Sequence, residues 1–147
     1  MSDEHEQRAT TAVAEVMMRN VVTCGSATTL VEVARLMRDR AIGDVLVTDG
    51  DELLGIVTDR DIVVRCIADA ADPTVSTAAD ACTDDVVTIV PETSVAEAAR
   101  VMGERGVRRL PVVDGGRPVG VVSIGDVTIE RDPTSPLAEI SASRPNT

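Results

Sequence analysis

Two segments carry the groups best suited to chemistry: Gly55-Ile-Val-Thr58-Asp-Arg-Asp61-Ile and Gly120-Val-Val-Ser123-Ile-Gly-Asp126-Val. Each runs from a glycine and two apolar residues to a hydroxyl, with a carboxylate three residues further on. Where a strand hands over to a helix, the first helical N–H groups and the positive end of the helix favour an anion, and a hydroxyl there can hydrogen-bond to phosphate. The carboxylate can accept hydrogen bonds from ribose hydroxyls, as acidic residues do in dinucleotide folds. The same Thr-x-x-Asp and Ser-x-x-Asp spacings are also those of a capping box, where the two side chains only satisfy a helix start. Their occurrence as a pair, at one offset and after the same apolar triplet, raises the ligand reading beside the capping one.

The remaining composition removes most other chemistry. All 14 cations of the 147 residues are Arg, so a Schiff-base lysine is excluded and a bound anion must be held by Arg or by backbone N–H groups. The single histidine, His5, lies in the polar N-terminal stretch, and Cys24, Cys66 and Cys82 form no C-x-x-C pair. Neither a zinc-ligand spacing nor a Ser/Cys–His arrangement is present. Acid–base work would rest on carboxylates alone, and the chain is not expected to be an enzyme or to require a cofactor. With no Phe, Tyr or Trp, any base it binds must lie between aliphatic side chains. The net charge of −11 argues against a nucleic-acid partner. No apolar run reaches the length of a membrane span. The odd cysteine count and the lack of a signal peptide point to a reducing, cytoplasmic setting.

The elements that must position these residues come from an internal duplication. Shifted by 65 positions, residues 21–62 align with 86–127 without a gap, and 15 of the 42 pairs are identical. Val21-Val22-Thr23-Cys24 opens the unit as a short β-branched strand. Thr29-Leu-Val-Glu32 and Ser94-Val-Ala-Glu97 follow as capping boxes. Leu30, Val33, Ala34 and Met37, like Val95, Ala98, Ala99 and Met102, have the spacing of one apolar helix face. A hairpin turns at Asp49-Gly50-Asp51 in one copy and at Asp114-Gly115-Gly116 in the other. A last helix is predicted over residues 59–67, with a shorter, poorer partner over 124–130. Short helices are predicted ahead of each copy, near 11–18 and 77–82. The division is a tail at 1–10, repeat 1 at 11–68, a linker at 69–76, repeat 2 at 77–131 and a tail at 132–147. Both tails read as disordered. A copy of about 55 residues buries its apolar face only marginally, so the two are expected to pack on each other.

In this order of elements, in the hairpin Arg108-Arg-Leu-Pro-Val-Val-Asp114 and in the two paired endings, residues 12–131 resemble a tandem pair of CBS domains, a Bateman module. The resemblance implies an α/β fold of two β-α-β-β-α repeats packed with pseudo-two-fold symmetry, with clefts between them for AMP, ADP, ATP or S-adenosylmethionine. Carried over by motif, Thr58 and Ser123 would meet phosphate and Asp61 and Asp126 ribose. Thr23, Val47, Thr88 and Val112 would lie near the base, and Arg108 and Arg109 would be basic phosphate contacts. It also implies a homodimer, a flat disc of four repeats, which signals through a protein partner that the sequence does not name. Two departures stand out. Gly43-Asp44 occupies the place of Arg108-Arg109, and Ser123-Ile-Gly-Asp126 lacks the charged interior of Thr58-Asp-Arg-Asp61, so the clefts are expected to be unequal. The alternative is a structural homodimer with vestigial clefts.

Overall fold

The computed structural model describes residues 11–131; the expected tails at 1–10 and 132–147 lie outside the described residues. The elements are β1 (Thr23–Gly25), α1 (Leu30–Arg40), β2 (Asp44–Asp49), β3 (Glu52–Thr58), α2 (Asp59–Ile62), α3 (Ala78–Ala81), α4 (Val95–Arg105), β4 (Arg109–Asp114), β5 (Arg117–Ser123) and α5 (Ile124–Arg131). A π-helical turn, Val63–Ile67, continues α2. The helix expected near 11–18 is reduced to a single 3-10 turn, Val13–Glu15. The fold is mixed α/β with the strand–helix unit present twice, as the 65-residue offset requires.

The packed units do not follow the boundaries drawn along the chain. One comprises residues 22–86 and holds repeat 1 except its first segment, 11–21; the other joins 11–21 to 87–131 and holds repeat 2 except its first segment, 77–86. The leader that opens repeat 1 is therefore built into the repeat-2 unit. Met18 and Val121 exchange both backbone hydrogen bonds, at 2.9 and 3.0 Å, while the Val13 N–H donates to the Thr93 carbonyl at 2.8 Å. The segment that opens repeat 2 is built into the repeat-1 unit in the same way, and Ile56 and Thr83 exchange bonds at 3.1 and 2.9 Å.

Side-chain volume matches this exchange. Val13 shares a core with Val95 and Ala98, whereas Ala78, at the equivalent place in the other segment, shares a core with Leu30 and Val33. The larger leader residue meets the smaller helix face, and the smaller meets the larger. All five of Val13, Ala78, Val33, Val95 and Ala98 are fully buried. Each core is aliphatic, completed by sulfur-bearing side chains such as Met102 in one and Met37 in the other.

Within each unit, β2 pairs antiparallel with β3 and β4 with β5, and both ladders shift register at the same repeat position, Val47/Thr48 and Val112/Val113. β1 adds a parallel strand to β2. The strand expected to match it at 86–88 is absent, leaving one parallel bridge between Ile89 and Val112. The cause is local: Ser26 extends the β1 ladder by donating its N–H to the Thr48 carbonyl at 3.2 Å. The matching residue is Pro91, which has no N–H to give.

The long helices start as predicted in part. Thr29 and Ser94 each accept from the N–H three residues on, but the Glu97 carboxylate turns to Arg100 rather than back to the cap. The helices end in left-handed residues, Gly106 at φ 65° and Ala41 at φ 54°. Ala41 carries a steric cost at this position that Gly106 does not.

Gly55 and Gly120, one of the glycine pairs matched across the repeat, mark where the exchanged segments cross the sheet. A Cβ on Gly55 would sit 2.4 Å from the Thr83 carbonyl oxygen, and one on Gly120 would sit 2.4 Å from Met17 Sδ. Backbone cannot yield as a thioether can. Gly55→Ala is expected to destabilise the fold by about 1–3 kcal/mol, and Gly120→Ala by less. Urea denaturation midpoints test this, and equal losses would contradict the distinction.

Candidate functional site

Each hairpin delivers its last strand into a helix, and the sequence-selected residues gather at these two corners. In the repeat-1 unit, Thr58 ends β3 and Asp61 lies in the first turn of α2. The Thr58 N–H donates to Asp61 Oδ2 at 2.9 Å, and the Asp61 N–H donates to Thr58 Oγ1 at 3.1 Å. In the repeat-2 unit, the Ser123 N–H donates to Asp126 Oδ2 at 2.8 Å and the Asp126 N–H to Ser123 Oγ at 3.2 Å. Both corners are thus complete capping boxes. One carboxylate oxygen, Oδ1, remains on each acid for other use.

The corners differ in what else they offer. At the repeat-1 corner the leading helical N–H groups are consumed internally: Asp59 donates to the Gly43 carbonyl at 2.9 Å, and Arg60 to Asp59 Oδ1 at 2.8 Å. Asp44 stands across the ladder from Thr58. An anion there would meet carboxylates instead of open donors. At the repeat-2 corner the Ile124 N–H donates to the Arg108 carbonyl at 2.8 Å, but residue 124 has no carboxylate to cover the next amide. No group among the described residues accepts from the Gly125 N–H. Arg109 lies directly across the ladder from Ser123, half-buried, with its Nε shielded from solvent. Arg108 beside it is exposed. One corner is acidic and closed, the other basic and partly open.

The remaining expected contacts divide. Thr23 and Thr88 are exposed. Val47 and Val112 are fully buried within the cores of their own units, so their side chains are committed there and only their main chain could face a ligand. Sequence reading passed over two groups. The first, Asp59, entered only as part of a charged interior, without its role of covering the Arg60 N–H. The second, Arg65, is signalled by no motif: its NH1 donates to the Ala81 and Cys82 carbonyls at 3.0 and 3.1 Å.

Among the described residues no cluster of three or more His, Cys, Asp or Glu is arranged to hold a metal ion, and no helix is long and apolar enough to cross a membrane.

Two copies of one strand–helix unit, each ending in a capped corner and each completed by a segment from outside its own repeat, define a duplicated α/β module. The CBS domain family model matches residues 13–67 and again 78–131, and the chain belongs to that family as a tandem pair. It is 36% identical over 118 residues to Hypoxic response protein 1 of Mycobacterium tuberculosis, covering 80% of this chain and 82% of that one. An uncharacterized protein of Methanopyrus kandleri is 37% identical over 118 residues, which span 79% of this chain but only 60% of the longer relative. Among solved structures, Hypoxic Response Protein I with two coordinated zinc ions superposes with a TM-score of 0.74 at 34% identity, covering 80% of this chain and 97% of that one. A hexameric CBS-CP12 protein from bloom-forming cyanobacteria gives 0.70 at 28% identity, covering 88% and 78%.

The three free thiols lie in the repeat-1 unit and differ in accessibility. Burial, reinforced by Cys82, pushes the Cys24 thiol up to about 11. Burial and Asp84 raise Cys82 as well, with Arg65 opposing them. Cys66 is buried and Cys82 half-buried. Iodoacetamide is therefore expected to modify Cys82 first. Because the thiol stays protonated below its raised pKa, the rate should still be climbing from pH 7 to 9. Peptide mapping reads the order, and earlier modification of Cys24 or Cys66 would contradict it.

Proposed function

We propose that this chain is a stand-alone regulatory module whose strand-to-helix corners bind an adenine-type nucleotide, AMP, ADP, ATP or S-adenosylmethionine, and which signals through a protein partner. The observation that carries this reading is Arg109 beside Ser123. A helix cap requires no cation across the ladder, whereas an Arg there can pair with a phosphate. The spare Oδ1 of Asp126 suits a ribose hydroxyl, and the Gly125 N–H suits a phosphate oxygen. The repeat-1 corner, with Asp44 and Asp59, suits a less charged ligand such as a nucleoside or S-adenosylmethionine. The completeness of both capping boxes favours a second reading, in which Thr58, Asp61, Ser123 and Asp126 are only caps and the module is a structural dimer.

Thermal shift against a panel of these ligands separates the two. At a hundredfold excess over Kd a ligand adds about 2.7 kcal/mol, and each kcal/mol moves Tm by roughly 2–4 °C in a chain of this size. A shift of several degrees is expected, lost in large part in Asp61→Ala or Asp126→Ala. Ser94 gives the control, since it caps α4 by accepting from the Glu97 N–H at 3.0 Å. Ser94→Ala measures the cost of a lost cap, about 1 kcal/mol, without loss of ligand response. Arg109→Ala should weaken ATP and ADP more than adenosine. No shift with any of the four at millimolar concentration would favour the dimer with vestigial clefts.

We also propose that the module works as a homodimer. Val63, Val64 and Ile67, at 58%, 47% and 57% exposure, lie together on the helical turn after α2. A second copy with the same surface would cover them by a symmetric contact. Light scattering at micromolar concentration should give twice the chain mass, falling to the chain mass in Val64→Asp/Ile67→Asp. A monomeric native protein would refute this.

A further inference from the structure

We propose that Arg65 is a positioning residue that couples the state of Asp61 to the segment by which the chain leaves the repeat-1 unit. The inference rests on the proposed ligand role of Asp61. Arg65 sits in the π-helical turn, where the Ala68 N–H reaches back to the Val63 carbonyl at 2.8 Å. Insertions of this kind recur at functional sites. Its Nε faces Asp61 Oδ1 at 3.9 Å, while its NH1 holds the Ala81 and Cys82 carbonyls at 3.0 and 3.1 Å. Those carbonyls end α3, immediately before Thr83 bonds to Ile56 and the chain crosses out of the unit after Val86. The guanidinium is thus shared between the one carboxylate oxygen that the cap leaves over and the root of the connection to the other unit.

A ligand hydroxyl that donates to Asp61 Oδ1 must share that oxygen with Arg65. Donation reduces the pull of the carboxylate on Nε, and the guanidinium settles on the two carbonyls. Occupancy of the corner therefore tightens the exit segment, and by linkage a tightened segment favours occupancy. The device belongs to repeat 1 alone. The position matching Arg65 is Glu130, and the leader of the repeat-2 unit is instead tied by its own Arg19, which donates to the Ala14 carbonyl at 2.7 Å.

The test is amide exchange at Cys82 and Thr83, whose N–H groups bond to the Ala78 and Ile56 carbonyls at 2.9 Å each, in four full-length proteins: native, Asp61→Asn, Arg65→Gln and the double variant. Asparagine keeps an oxygen for the Thr58 N–H and removes the charge, mimicking an occupied Oδ1 without ligand. Exchange is expected to slow by at least about fivefold, the low end of measured couplings, in Asp61→Asn. It should be faster than native in Arg65→Gln and indifferent to Asp61→Asn in that background. Equal effects of Asp61→Asn with and without Arg65, or no effect in either, would overturn the coupling. A parallel measurement with saturating AMP separates the two ideas. Coupling among the variants without AMP binding sinks the nucleotide reading and leaves Arg65 its role. AMP binding without coupling does the reverse.

Discussion

Each sheet is finished by a strand segment that its own repeat does not supply. The reciprocal bonds of Ile56 with Thr83, and of Val121 with Met18, cover the sheet edge that the hairpin leaves open. An uncovered edge is a template for unwanted pairing. The closure forces glycine at positions 55 and 120, because the crossing backbone or Met17 occupies the space of a Cβ. It also delivers Val13 or Ala78 to the core beneath. The paired corners depend on this arrangement, since Thr58 lies two residues past Ile56 and Ser123 two past Val121 on the same strands.

From those strands the two copies diverge through small differences in charge. Position 44 or 109 decides whether the capping hydroxyl faces an acid or a base, and position 59 or 124 decides whether the second helical amide is covered. With a net charge of −11, an open donor beside a half-buried Arg is an uncommon environment for this surface, and it occurs in one repeat only. The two corners share one capping box; their differing residues make one a closed acidic cap and set a basic side chain beside the other.

The architecture was legible because the 65-residue offset is a statement about geometry. Identical spacing of Leu30, Val33 and Met37 with Val95, Ala98 and Met102 leaves little choice of element. The capping role of Thr58 and Asp61 could be read from three-residue spacing as well. The exchange of segments could not, because periodicity along residues 11–18 is the same whichever core receives them; the size match of Val13 with Ala98 becomes visible only once the pairs are known. The missing strand beside Val112 was written in Pro91, but only the Ser26 bond gives that proline its meaning. Val47 and Val112 were placed near a ligand by motif, and the burial of their side chains in the cores leaves their main chain for that contact. Arg65 belongs to no motif, since its role depends on carbonyls 16 and 17 residues away.

The interleaved connectivity also orders events during synthesis. Residues 22–86 form a continuous stretch and can close as soon as Thr83 has emerged from the ribosome. The leader, made first, has to wait for Val121, several seconds later at roughly 5–20 residues per second. In that interval the only helix face on offer is its own, and docking there would set Val13 against Leu30 and Val33, an overpacked pairing that costs about 1–3 kcal/mol. The two extra carbons of Val13 over Ala78 thus favour docking of residues 11–21 on the smaller face of Val95 and Ala98 over the larger one of Leu30 and Val33.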